Sequence, residues 1–135
     1  MKNRCLAWFM SLLSFCVVSL SLTACKQEVD PVIITVEHAT ENQTLLSYME
    51  TLQEDGVLTF EMQSGMITKI NGTSNFGSSY WMLYTTDNEN ANTQWGSYTY
   101  NEQVLGSAIY GAETLTVKNG ETYVWSYETF KRTRH

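Results

Sequence analysis

The sequence predicts an α+β domain in which a single helix packs on a mixed or antiparallel sheet. Three observations predict it. Only one stretch, residues 39–56, carries apolar side chains at helical spacing. Short stretches of apolar-polar alternation lie before and after it, as half-buried strands require. Tight-turn signals, Asn71-Gly72 and Lys118-Asn119-Gly120-Glu121, punctuate the later stretches. One early helix followed by a run of strands is the α+β pattern of a helix laid across a sheet.

In chain order, VIITVE (32–37) is β-branched and alternating and reads as the first strand. The helix follows. Thr44 is its N-cap, Leu45, Met49 and Leu52 form the buried stripe, and Leu46 and Tyr48 flank it. Glu50 and Glu54 lie on the wet side, and Gly56 sits at the C′ position. VLTFEMQ (57–63) alternates with Leu58, Phe60 and Met62 on one face. GMITKING (65–72) is a short strand ending in its turn, and TSNFGSS reads as a polar loop. SYWMLYTT (79–86) is the central strand, DNENANTQ (87–94) an exposed loop, and WGSYTYNE (95–102) another strand. VLGSAIYGAETLTV reads as a loop or short irregular strand, with Leu115 and Val117 inward. TYVWSYETF (122–130) closes the domain, with Tyr123, Trp125 and Tyr127 facing the core.

The chain begins with an address. Lys2 and Arg4 precede an apolar run to about Leu20, the layout of a secretory signal. Leu22-Thr23-Ala24-Cys25 resembles the lipobox of bacterial lipoproteins. That resemblance implies cleavage before Cys25, acylation of the Cys25 thiol, and an extracytoplasmic protein held on the membrane by its lipid. With Lys26 after the cysteine, the anchor belongs in the outer membrane if the cell is Gram-negative. Two or three acyl chains hold a protein stably. The expected organisation is therefore a signal peptide (1–24), the lipidated cysteine and a tether (25–31), one domain (32–130) and a basic tail (131–135).

Loss of the leader leaves 111 residues, with six basic against 14 acidic side chains and a net charge of −8. A nucleic-acid partner needs a basic face, and this composition excludes one. Cys5 and Cys16 leave with the leader and Cys25 carries lipid, so no thiol remains for a disulfide, a metal or nucleophilic catalysis. The histidines are His38 and His135, and no spacing suggests a zinc or iron site or another resident cofactor. Asp87-Asn88-Glu89-Asn90 lacks the glycine and the terminal glutamate of a calcium loop. No nucleophile elbow or phosphate loop is present, and a non-catalytic role is expected.

What stands out is the aromatic content of the C-terminal half. In SYWMLYTT, alternation puts Tyr80, Met82 and Tyr84 on one face and Trp81 and Leu83 on the other, so both faces are apolar. Trp81 and Leu83 are expected under the helix. Tyr80, Met82 and Tyr84 are then the candidate surface, covered by the Trp95–Ala112 segment or open to a small amphipathic ligand or an envelope protein.

Four segments, TLLSYMETL, GMITKING, SYWMLYTTDNE and VKNGETYVWSYE, stand in an order that resembles the transcobalamin-like C-terminal domain of bacterial surface proteins. The resemblance covers about residues 32–130. It implies a β-grasp-like fold and a binding rather than catalytic role. In the vitamin carriers this domain closes over one side of cobalamin, and the strand matching Tyr80–Tyr84 lies near the ligand. The strand match implies Tyr80, Trp81, Met82 and Tyr84 as ligand-binding residues, with cobalamin as a ligand in view, and Trp95, at the start of the aromatic Trp95–Ala112 segment, joins them as a candidate. Pockets bury about 70–90% of a drug-sized ligand. A lone domain of this size offers a corrinoid about one wall, so it would bind it weakly or jointly with a partner.

Overall fold

The computed structural model describes residues 28–131; the leader, Cys25 and the tail from Arg132 to His135 lie outside them. The described residues form an α+β fold, built from one α-helix and two antiparallel sheets. Strands β1 (Val32–Thr35), β5 (Ser79–Thr85), β6 (Ala91–Tyr100), β7 (Gln103–Ala108) and β8 (Thr122–Thr129) form a sheet in the order β1-β8-β5-β7-β6. Strands β2 (Phe60–Gln63), β3 (Met66–Ile70) and β4 (Thr73–Ser74) form the second sheet. The expected single, mixed or antiparallel sheet is thus two sheets, and every pairing is antiparallel. The last strand in sequence lies inside the sheet, with β1 on one side and the central strand β5 on the other.

Helix α1 (Leu45–Glu54) is set by its ends. Thr44 Oγ1 accepts from the Ser47 N–H at 3.1 Å, which satisfies one of the unpaired donors of the first turn. The carbonyls of Leu115 and Ala112 accept from the N–H groups of Leu45 and Leu46, so the segment before β8 docks on the helix start. At the other end Gly56 takes φ +75°. Its N–H donates to Gln53 O, and that of Val57 to Leu52 O, a Schellman ending. Leu45 and Met49 are buried and Leu52 half-buried, as the stripe predicts.

The helix, the small sheet and the Ala112–Val117 segment cover one face of the large sheet. Ile34, Trp81, Leu83, Tyr123 and Trp125 from that face meet Leu45 and Met49 of α1, Ile67 and Ile70 of β3, and Leu115 and Val117. Burial of this apolar surface is the main stabilising term for the described residues, which contain no cysteine. The small sheet is fastened to the large one by side chains. Asn75 accepts the Trp81 N–H at 3.0 Å through Oδ1 and donates to Ile67 O at 3.1 Å through Nδ2. Trp81 Nε1 donates to Thr73 O at 2.8 Å and the Tyr127 hydroxyl to Ser74 O at 2.8 Å.

The second face carries its own cluster of Tyr84, Leu105 and Val124, flanked by Ile33, Met82, Tyr98 and Tyr100. Here three expectations need correction. Tyr84 is not a surface residue: it is 4% exposed, with its ring 5.7 Å from that of Tyr98. Residues 103–108 form a regular strand instead of an irregular segment. DNENANTQ is only partly exposed, because Ala91–Gln94 opens β6 and Asp87 is buried. The common cause is the β6–β7 hairpin, which lies beside β5 and brings Tyr98 against Tyr84. Its turn, Asn101-Glu102, has φ +49° and +63° without a glycine. Between Asn92 and Ser97 the register with β7 shifts. Gly106 permits this, since a Cβ there would lie 3.0 Å from Ala91 Cβ and 3.2 Å from the Asn92 nitrogen. TSNFGSS is likewise more than a loop, since Thr73-Ser74 pairs with β3 across Asn71-Gly72, where both residues have positive φ.

Candidate functional site: a slot beside β5

Strand β5 is paired with β8 along its whole length, from Ser79 opposite Thr129 to Thr85 opposite Tyr123. On its other edge it pairs with β7 only at Tyr84 and Thr85. Past Ala108 the chain leaves the sheet, and the Ile109–Gly111 stretch swings away toward the helix start. The divergence leaves a slot of about 240 Å³ along Trp81–Leu83. Its walls are that edge of β5, Ser107–Ala112, the Gly65–Ile67 end of the small sheet, and Trp125. Met66 and Tyr110, 57% and 50% exposed, stand at its rim.

The lining is apolar and soft. Two tryptophans give flat, polarisable walls, and Met66 supplies a flexible thioether at the rim; Met82 borders the slot through its place on β5, while its side chain packs in the cluster on the other face. No carboxylate, histidine or basic side chain lines it. One polar atom stands apart. Trp125 is 5% exposed, and its indole Nε1 is buried without a hydrogen-bond partner among the described residues. A buried donor left unpaired costs about 1–3 kcal/mol. The other indole in the wall is satisfied, since Trp81 Nε1 donates to Thr73 O.

A larger hollow of about 610 Å³ also touches Trp81. Its walls are the 28–32 segment with Glu28 and Asp30, together with Ile70, Asn71 and Thr73. Trp81 is the one aromatic among its lining residues and no thioether lines it, and its outer wall is the segment expected to lead to the anchor.

The structure brings Trp81 and Met82 together in the slot and places the other sequence-implied residues elsewhere. Tyr80 is 39% exposed, with its ring 6.2 Å from that of Phe130. The Tyr84 hydroxyl donates to Glu128 Oε2 at 2.6 Å. Burial, and then that carboxylate, push the Tyr84 phenol far above the ordinary tyrosine range. Trp95 lies in the shifted stretch of β6, 67% exposed, and does not line the slot. Sequence reasoning missed Met66, Ile109 and Tyr110, and assigned Trp125 to packing alone. The one local sign was the uncharged, glycine-containing run Val104–Ala112, too irregular for a strand throughout.

Acidic residues after β5 serve the fold. Asp87 caps the 3₁₀ turn Asn88–Asn90, accepting from the Glu89 N–H at 3.2 Å, the Asn90 amide at 2.8 Å and Lys118 Nζ at 3.1 Å. Burial alone would raise the Asp87 carboxyl; the bonds from Asn90, Lys118 and Glu89 outweigh it and hold the carboxyl below its usual range. Its acceptor positions are thus filled by protein groups. Among the described residues no group of three or more His, Cys, Asp or Glu side chains is placed to hold a metal ion. His38 is exposed at the end of β1, with φ +60°. Among the described residues no helix is long and apolar enough to cross a membrane. Comparison with family models, curated proteins and solved structures found no match for this chain.

Proposed function

We propose that this chain is a membrane-anchored, extracytoplasmic lipoprotein whose domain binds a small amphipathic ligand without catalysis, in the slot beside β5. The observation that carries this reading is an aromatic and thioether-lined cavity at an edge where the strand has no neighbour. The anchor reading rests on Leu22-Thr23-Ala24-Cys25 after an apolar run, with Cys25 as the lipid attachment point. A β-grasp-like build and a likeness to the cobalamin-capping domain of transcobalamin belong to the same proposal. They are supported by a single helix held against a sheet and by the position of Trp81 and Met82 in the slot. At about 240 Å³ the slot takes an edge or side group of a corrinoid, not the whole of it. The remainder of such a ligand would lie against a second protein.

The test is titration of the full-length protein in nanodiscs with cobinamide and cobalamin. Saturable quenching of tryptophan fluorescence, weakened in Met66→Arg at the rim of the slot, is the expected result. No heat and no spectral change at about millimolar ligand removes corrinoids from the proposal.

A second reading, a protein-interaction module of the cell envelope, is favoured by one observation. Phe76, Tyr80 and Phe130 are exposed together at one end of the sheet, where the Phe130 N–H bonds to Ser78 O. Cross-linking on cells from Phe76 replaced by a photoreactive analogue tests it. A single specific adduct supports it, and diffuse or absent adducts contradict it.

A further inference from the structure

We infer that the end of the large sheet bearing Phe76, Tyr80 and Phe130 rests on the anionic bilayer that holds the acylated Cys25, with those rings in the headgroup layer. The inference rests on the anchor reading and adds how the domain stands on its membrane.

The register fixes which end of the sheet the anchor reaches. Val32 lies opposite Trp125 and Ser79 opposite Thr129, and β1 and β5 both run antiparallel to β8. The starts of β1 and β5 and the finish of β8 therefore point to the same end. The turn before β5 lies there too, since Phe76 and Ser79 exchange backbone hydrogen bonds. The path of the chain before Val32 is held: Val29 packs on the core, and residues 28–32 run beside Ile70, Asn71, Thr73 and Trp81. Cys25 precedes Glu28 by three residues, a reach of at most about 11 Å. Ser79 lies two residues from Trp81, about 7 Å along the strand. Val104 lies toward the other end, because Gly106 pairs with Thr85, and stands about 20 Å beyond Trp81. The short link thus brings the near end to the bilayer and leaves the far end out of reach.

The surface at the near end matches a headgroup layer. Phe76, Tyr80 and Phe130 are exposed, and the Tyr80 and Phe130 rings lie 6.2 Å apart. Aromatic rings settle at membrane interfaces, between hydrocarbon and water. Charge agrees. Of the six basic residues left after the leader, four lie in the two segments that adjoin this end: Lys26 before the tether, and Lys131, Arg132 and Arg134 directly after Phe130. Glu28 and Asp30 are the acidic residues of those segments, and nearby Glu128 on β8 is engaged by the Tyr84 hydroxyl. The rest of the mature chain holds two basic and 12 of the 14 acidic residues. An anionic surface therefore repels the body of the domain and draws this end toward it. A protein partner would also fit exposed rings, but their position beside the anchor favours the bilayer.

The experiment uses full-length acylated protein in nanodiscs of equal parts phosphatidylcholine and phosphatidylglycerol, with nitroxide on the lipid headgroups and no envelope protein present. The amides of Phe76, Tyr80 and Phe130 should broaden, and that of Val104 should stay sharp. Discs of phosphatidylcholine alone should lower the docked fraction. In the mixed discs Lys131→Gln should lower the docked-to-free ratio about fivefold, the share of one basic residue near an anionic surface. Equal broadening at both ends, or none at Phe76, Tyr80 and Phe130 while Cys25 carries its lipid, would overturn the docking and leave the anchor reading standing. Sharp amides on the discs together with a single protein adduct from Phe76 on cells would give the rings to a protein partner instead. An intact mass that shows Cys25 without acyl chains would remove the anchor reading and this inference with it.

Discussion

Along the edge facing β8, β5 pairs at every residue from Ser79 to Thr85, whereas along the edge facing β7 it pairs only at Tyr84 and Thr85. The closed edge makes the core: Tyr123 and Val124, opposite Thr85 and Tyr84, are fully buried. The open edge makes the slot, and side chains replace the missing strand. Asn75 takes the Trp81 N–H that a neighbouring strand would take, and ties it to β3. The contrast shows how one strand can belong to the rigid part of a small domain on one side and to a recognition surface on the other. The stiffness of the first gives the second a fixed shape.

The closed edge is broken most severely by Tyr123→Ala. This side chain is fully buried under α1 and its hydroxyl accepts the Lys118 N–H at 3.0 Å. Loss of an aromatic of this size costs about 3–5 kcal/mol, to be read from urea unfolding.

Asn75→Ala strikes the open edge. It strips the Trp81 N–H and Ile67 O of their shared partner, at a cost of about 1–3 kcal/mol. If Asn75 replaces a strand there, amide exchange should accelerate at Trp81 and Thr68 and stay slow at Val124. Equal acceleration at all three would mean that the two edges are not independent.

The smallest effect concerns Asp87, just beyond the end of β5. Its carboxyl is held below the usual range in the folded state, so its contribution is present above the ordinary aspartate value of about 4 and is lost as pH falls through the lowered value. Asp87→Asn should cost about 1 kcal/mol at neutral pH and flatten the acid limb of the melting curve. An unchanged acid limb would assign that loss to other carboxylates.

What was legible in the sequence was local. Thr44 and Gly56 bound the helix because capping needs only neighbours within a turn, and Asn71-Gly72 makes its turn through its own backbone preference. Alternation alone placed Tyr123, Trp125, Trp81 and Leu83 on the core face, though Trp81 is held by the small sheet, not the helix. What was not legible depends on partners far along the chain. Tyr84 is buried because β6 and β7 pair beside β5, and Asp87 is held by Lys118 from 31 residues away. The slot depends on where β7 leaves β5, a matter of the path of Ile109–Gly111, which no period in the sequence encodes. Trp81 and Met82 were therefore found as site residues through their strand, while Met66 and Tyr110 were not.

The slot is tested most directly by methionine methyl spectra of the full-length protein during titration with acetophenone, a neutral one-ring probe. Met66 stands at the slot, whereas Met49 is buried beneath the helix and Met62 packs on the small sheet. The account predicts a saturable shift of the Met66 methyl with Met49 and Met62 unmoved. Shifts of equal size at all three, or none at Met66, would contradict it.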